Sequence, residues 1–256
     1  MLAARHAGDH AAGRRGARRG AGAVLITHLA TVGSTNDWLT ERAATLPDGS
    51  WVFADAQTGG RGRRGRAWTS LPGNVFASVL TRPQPGEGPT QQLSFVAALT
   101  LAGALDSYAE AHRLTLKWPN DVLLDGTKVA GILLEKQGDA CVIGIGVNLA
   151  AHPVDSERPA TSLAAAGIAP PSPSAFVEDL SGNFVRTRAT WRDHGFAATR
   201  TAWLARAAGI GRPLVARLGS EALTGVFEGL ADDGALQLRL DNGAVRAVHA
   251  GEVFGV

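Results

Sequence analysis

The stretch Gly59-Gly60-Arg61-Gly62-Arg63-Arg64-Gly65-Arg66 puts four arginines and four glycines into eight residues. No run of this kind has an apolar side to bury, so it cannot serve as a core strand or helix. Its glycines let successive backbone amides turn toward one point, and its guanidinium groups supply forked donors for phosphate or carboxylate. Strand-like segments flank it: Trp51-Val52-Phe53-Ala54, with Gln57 at its exit, and Val75-Phe76-Ala77-Ser78-Val79-Leu80. A loop of this chemistry held between two strands predicts an anionic ligand.

Two common phosphate loops are excluded. No Gly-Lys-Ser/Thr follows, so this is not a Walker A loop. Gly60, Gly62 and Gly65 have dinucleotide-fingerprint spacing, but a strand rather than a helix comes next. An Arg-Gly box that binds RNA normally lies in a disordered tail, and the aromatic residues that would stack on bases are not interleaved with this basic run.

The 256 residues suffice for one ordinary domain and a small one. Hydrophobic residues make up 45% and charged residues 19%, and the net charge is only +2. That describes a globular chain without a global field for gripping nucleic acid. No apolar run reaches the ~18 residues of a membrane span. The lone cysteine, Cys141, lies in an apolar strand-like run and reads as a small core residue; one thiol excludes an intrachain disulfide and fits a reducing compartment. Residues 1–22, rich in Ala, Gly and Arg, cannot offset their ordering entropy and are expected to be a disordered tail. With no apolar signal core, a cytoplasmic location is expected.

Hydrophobic periodicity predicts a first strand at 24–29 and a helix capped by Ser34-Thr35-Asn36-Asp37. A long amphipathic helix is expected over 90–111, strands at 114–117, 121–124, 128–135 and 140–149, and helices over about 174–192 and 195–207. From Arg212 the pattern changes to short alternating runs separated by Asp232-Asp233-Gly234 and Asp241-Asn242-Gly243, the mark of a small antiparallel barrel. The reading is therefore α+β, divided as tail 1–22, main domain 23–209 and small domain 210–256.

Only three lysines occur, Lys117, Lys128 and Lys136, against 22 arginines. Two of them bracket Trp118-Pro119-Asn120-Asp121, where Pro119 turns the chain sharply and Asn120 and Asp121 are expected to take local backbone partners. Gly131 and Gly144 lie on successive strands, where absence of a side chain permits close approach by a ligand. The hydroxyl and amide groups of Ser34, Thr35 and Asn36 at a helix N-terminus can cap it, or hold a carbonyl or ureido oxygen. No metal-ligand spacing of Cys and His occurs, so no fixed protein metal site is expected.

Taken in order, Ser34-Thr35-Asn36, Gln57 with the Arg-Gly run, Lys117-Trp118-Pro119-Asn120-Asp121, the strand from Lys128 to Glu135, and Gly144-Ile145-Gly146-Val147-Asn148-Leu149 resemble the biotin–protein ligase family. The resemblance covers about residues 24–256. It implies a mixed β-sheet flanked by helices, of the class II synthetase-like kind, followed by an SH3-like barrel. The implied reaction joins biotin and ATP, with Mg²⁺, into biotinyl-5′-AMP, then biotinylates a lysine of the biotin carboxyl carrier protein.

By the same resemblance Lys128 is the key cation at the carboxylate and α-phosphate, and Arg61, Gly62 and Arg63 form a loop closing over the adenylate. Ser34, Thr35, Asn36 and Gln57 hold the biotin rings, and Lys117 and Asp121 serve phosphate, magnesium and the acceptor amine. Gly131 and Gly144 leave room for the substrate. The short N-terminal tail implies a member without the DNA-binding domain of repressor forms, with no specific DNA binding, no membrane association, and a monomer or homodimer. A lipoate–protein ligase-like acyl transferase and an Arg-Gly RNA-binding module are the alternatives.

Overall fold

The computed structural model describes residues 24–154 and 158–255; the expected tail lies outside the described residues. The chain begins with β1 (Ile26–Val32), α1 (Thr35–Arg42), β2 (Trp51–Gln57) and β3 (Val75–Thr81). It continues through α2 (Leu93–Leu105), β4 (Leu114–Lys117), β5 (Asp121–Leu124), β6 (Thr127–Gln137) and β7 (Ala140–Val147). Then come α3 (Pro173–Leu204) and five short strands, β8 (Pro213–Leu218), β9 (Glu221–Leu230), β10 (Leu236–Arg239), β11 (Val245–Val248) and β12 (Glu252–Phe254).

The first seven strands form one sheet in the order β1-β2-β3-β7-β6-β5-β4. β1 pairs parallel with β2 and every other pairing is antiparallel, giving a mixed sheet. Central β3 is buried along its whole length, as its mostly apolar run requires, with Ser78 the polar residue in its middle. Its Ala77 and Val79, with Ile143 and Ile145 of β7, pack against α2 and α3 in the main core. The opposite face carries α1, whose Leu39, with the C-cap residue Ala43, joins Val52, Leu80, Ala140 and Val142 in a second cluster.

Some expectations change. The helix expected over 90–111 is α2 alone, flanked by short 3₁₀ turns at Thr90–Gln92 and Ala111–Arg113. It is not amphipathic: ten of its 13 residues are buried, because α3 and the sheet enclose it. The two later helices form one run, α3, broken at Gly195, whose φ of 70° and ψ of −176° no L side chain adopts comfortably. The first strand begins two residues later than expected, and β12 gave no sequence signal at three residues long.

The C-terminal strands make a separate antiparallel sheet, β11-β10-β9-β8-β12. It is not a detached bead. Its Phe227, Leu236 and Leu238 belong to the same core as α2 and α3, and the carbonyl of Gly234 accepts a hydrogen bond from Trp118 Nε1 at 3.3 Å. The segment leading into it also covers the sheet edge at β4: Leu116 N donates to Arg206 O, and Ala208 N to Leu116 O. Replacing Gly195 with Ala forces a side chain into that positive-φ break. The substitution should lower unfolding free energy by about 1–3 kcal/mol in urea titrations.

Candidate active site

A cleft of about 680 Å³ opens on the face of the large sheet that carries α1, within the usual size of small-molecule sites. Strand register explains what lines it. Lys117 pairs with Asp121, Asp121 with Gly131, Gly131 with Gly146, and Gly146 with Phe76, so one row crosses five strands. Directly paired residues point to one face. Lys117, Asp121 and Phe76 therefore look into the cleft, and the paired glycines leave a bare backbone platform between them.

The indole of Trp68, just past the Arg-Gly run, lies on that platform. A Cβ at Gly146 would come within 2.4 Å of its ring, and one at Gly131 within 3.0 Å. Its Nε1–H is buried without a hydrogen-bond partner. Lys128 reaches the same place by an irregularity. Three residues from Gly131, it would face away on a regular strand, but the β5–β6 register shifts opposite Val122 and Leu123. Its ammonium stands 2.7 Å from Asp121 Oδ1 and 5.6 Å from the Trp68 ring centre. The expected strand-borne cation and the expected loop thus line the same cleft.

At one end of the cleft, Ser34 caps α1 by accepting from Asp37 N. Thr35 donates to Gln57 Oε1 through its backbone N at 2.8 Å, with its Oγ1 3.1 Å from the same oxygen. Asn36 is buried, with Oδ1 2.6 Å from Ser78 Oγ and Nδ2 donating to Glu135 at 2.7 Å. Gly144 makes room for this amide: a Cβ there would lie 2.4 Å from Asn36 Oδ1. All the sequence-predicted site residues, from Ser34 and Gln57 to Gly144, line this one cleft. Asn120 does not make the expected local turn; its Nδ2 donates across to Ile132 O, because β6 runs alongside.

The four arginines of the loop divide. Arg61 is clasped by Asp37 and Glu135. Arg66 pairs with Glu252 of β12 at 2.5 Å and Arg64 approaches the same carboxylate at 3.7 Å, joined by Arg158. Arg63 turns inward, donating to Asn120 Oδ1 and Gly251 O, both at 3.3 Å, with no carboxylate in ion-pair reach among the described residues. Burial, then the neighbouring Arg64, draws its pKa down. Burial likewise lowers that of Lys117, with Asp121 opposing and Arg158 and Lys128 adding to the fall. Among the described residues Lys117 has no carboxylate in ion-pair reach either, and it stands 5.8 Å from the Phe254 ring centre. Two cations without an ion-pair partner among the described residues thus face one cleft.

Trp68, Ser78, Glu135 and Glu252 were missed as site residues by sequence reasoning. Glu135 ends the Lys128 strand motif and was visible there. Glu252 had no signal, because it comes from the other sheet. Cys141 is buried as expected, and burial pushes its thiol up to about 11, which removes it as a nucleophile.

Burial alone would raise the Glu252 carboxyl, but Arg158 and Arg66 more than offset this and hold it near a pKa of about 2, below its ordinary 4.5. A carboxyl with a depressed folded-state pKa stabilises fully above its unfolded value, and loses that effect as pH falls through the folded one. The gap in melting temperature between wild type and Glu252→Gln should be constant above about pH 5 and close between about pH 4.5 and 2.

The family description "Biotin/lipoate A/B protein ligase family" matches residues 29–148, and "Biotin protein ligase C terminal domain" matches 209–255. A biotin–[acetyl-CoA-carboxylase] ligase of Paracoccus denitrificans is 44% identical over 237 residues, covering 88% of this chain and 98% of that one. Its counterpart from Mycobacterium tuberculosis is 32% identical, covering 91% and 90%. Among solved structures, the biotin protein ligase of Aquifex aeolicus in complex with biotin and ATP superposes with a TM-score of 0.78 at 26% identity, covering 90% of this chain and 97% of that one. The chain belongs to the biotin–protein ligase family.

Proposed function

We infer that this protein activates biotin with ATP to biotinyl-5′-AMP and transfers the biotinyl group to a lysine of a biotin carboxyl carrier domain, that of acetyl-CoA carboxylase or a related carboxylase. The observation that carries this reading is the convergence, in one cleft, of a neutral hydroxyl–amide cluster at one end with Lys128 and Arg63 further along.

The first step brings two anions together. The biotin carboxylate attacks the α-phosphate, an acyl–phosphate bond forms, and pyrophosphate departs. Cations fixed in place beforehand offset the repulsion and stabilise charge growing at phosphorus, without reorganisation during the reaction. Lys128 takes that role, oriented by Asp121. Arg63, with no carboxylate claiming it, is the loop arginine whose charge is left for phosphate. In the second step the acceptor amine attacks the acyl carbon and AMP leaves. The loop keeps the mixed anhydride from water until then.

The ureido ring of biotin presents one acceptor and two donors. The cluster of Ser34, Thr35 and Gln57 offers hydroxyl and amide partners of both kinds. Of the cleft carboxylates, Asp121 is engaged by Lys128 and Glu252 by three arginines, so Mg²⁺ arriving with ATP would rely on phosphate oxygens and water. We place the catalytic domain at 23–209 and the small domain at 210–256. No described helix is long and apolar enough to cross a membrane, and a cytoplasmic reaction accords with the free buried thiol.

Incubation with biotin, Mg-ATP and a carrier domain, followed by mass measurement of the carrier, tests the reading; lipoate in place of biotin tests the alternative acyl group. Transfer of lipoate but not biotin would overturn it. Lys128→Ala should slow adenylate formation about 10²–10³-fold, the scale for losing one positioned charge stabiliser, with unchanged circular dichroism. Arg63→Gly should let the activated acyl group escape, so bystander proteins become biotinylated in proportion to their exposed lysines; strict retention on the carrier would count against its closing role.

A further inference from the structure

Arg61 has a different job from Arg63. Its Nη1 and Nη2 bond the two oxygens of Asp37 at 2.8 and 2.6 Å, while Nε and Nη2 bond Glu135 Oε1 at 3.1 and 2.9 Å. Both edges of the guanidinium are taken by carboxylates, and an incoming phosphate would have to displace one. The pKa directions agree: the Asp37 hydrogen bond is the largest influence raising Arg61, and the Arg61 hydrogen bond the largest lowering Asp37. Arg61 is an anchor.

Glu135 does more than hold that anchor. Its Oε2 also accepts from Asn36 Nδ2 at 2.7 Å, and Asn36 Oδ1 is in turn held by the buried Ser78 hydroxyl, which also lies 2.7 Å from Thr35 Oγ1. Thr35 is joined to Gln57 by its backbone N–H at 2.8 Å, which leaves its one hydroxyl proton for Ser78 Oγ while the Ser78 proton goes to Asn36 Oδ1. A continuous chain of hydrogen bonds thus runs from the hydroxyl–amide cluster through one carboxylate to the first arginine of the loop. Asn36 is buried and its Nδ2 donates to Glu135, so loss of that acceptor would leave a shielded donor to be satisfied anew. Asp37, by contrast, is exposed, and its carboxylate bonds the loop side through Arg61.

We propose that Glu135 is a positioning residue that ties the ring-recognition cluster to the Arg-Gly loop, so that occupation of the cluster and ordering of the loop reinforce each other. The tether needs no new contact with the substrate. A ligand that fixes Thr35 and Gln57 fixes Asn36 through Ser78, then Glu135, and the Arg61 end of the loop has a rigid mooring. The assignment of ligand to cluster rests on the biotin ligase reading above; the tether between cluster and loop does not.

The test is limited trypsin digestion of the full chain, following cleavage after Arg63, Arg64 and Arg66, alongside steady-state adenylate formation. Glu135→Gln preserves shape and removes the charge. Without ligand, it should speed loop cleavage about tenfold, the scale of a lost charge-assisted hydrogen bond. Biotin should protect the wild-type loop strongly and the variant weakly, and the variant's KM for biotin should rise more than its kcat falls. Glu135→Asp should recover part of each effect. Asp37→Ala should loosen the loop with a smaller change in biotin KM, because it leaves Asn36 its partner.

The Arg61→Gln, Glu135→Gln double variant should cleave no faster than the faster single one. Wild-type cleavage and biotin KM in Glu135→Gln, or effects of the two substitutions that multiply, overturn the tether. If unliganded loop cleavage responds as expected but the wild type forms no biotinyl adenylate, the ligase reading falls and the tether stands. If adenylate forms normally and loop cleavage is unchanged, the reverse holds.

Discussion

Four guanidinium groups within eight residues repel one another, and a loop that carries them stays in place only where carboxylates are brought to it. Here those carboxylates come from parts of the chain remote from the loop in sequence. Asp37 on α1 and Glu135 on β6 hold Arg61, and Glu252 on β12 gathers Arg64 and Arg66 together with Arg158. The side chain of Glu252 is only 11% exposed. A carboxylate so shielded is costly to leave unpaired, which makes its arginines obligatory partners rather than surface decoration. Between the two moorings Arg63 remains without a carboxylate and faces the cleft.

The large sheet gives that cleft its floor. α2 and α3 fill one face with apolar side chains, while the other face is left partly bare by the Gly131–Gly146 pair. Backbone without side chains lets the Trp68 indole, and by extension any flat group, come close to the strands. Polar groups of the sheet and of α1 flank this bare backbone: the Ser34–Gln57 cluster on one side, and Lys117, Asp121 and Lys128 toward the sheet edge. The small sheet forms a third wall through Glu252 and Val253. Its shared core with α2 and α3 gives that wall a firm backing.

Much of the fold was readable from periodicity. The antiparallel hairpins at Asp125-Gly126 and Gly138-Asp139 show in their turn residues, with Asp125, Gly126 and Gly138 all at positive φ. Helix α2 was overextended because its polar flanks, Thr90 to Gln92 and Ala111 to Arg113, continue a plausible pattern while the backbone tightens into 3₁₀ turns. β12 was missed because three residues carry no period. Its place is decided by pairing with β8, which lies more than 30 residues earlier.

Residue types and their order were enough to settle the family resemblance, the basic loop, the two lysines beside the proline turn and the glycines on paired strands, since each depends on local backbone geometry or on the chemistry of a short stretch. Which charges are spent and which remain was decided in three dimensions. Strict alternation would put Lys128 and Gly131 on opposite faces, and only the register shift against β5 brings the ammonium to Asp121. Arg61 and Arg63 look alike in the chain, yet one is closed off by two carboxylates and the other is not. That difference depends on Asp37 and Glu135 arriving from two distant segments, and electrostatic partnership across such distances is a property of the folded arrangement alone.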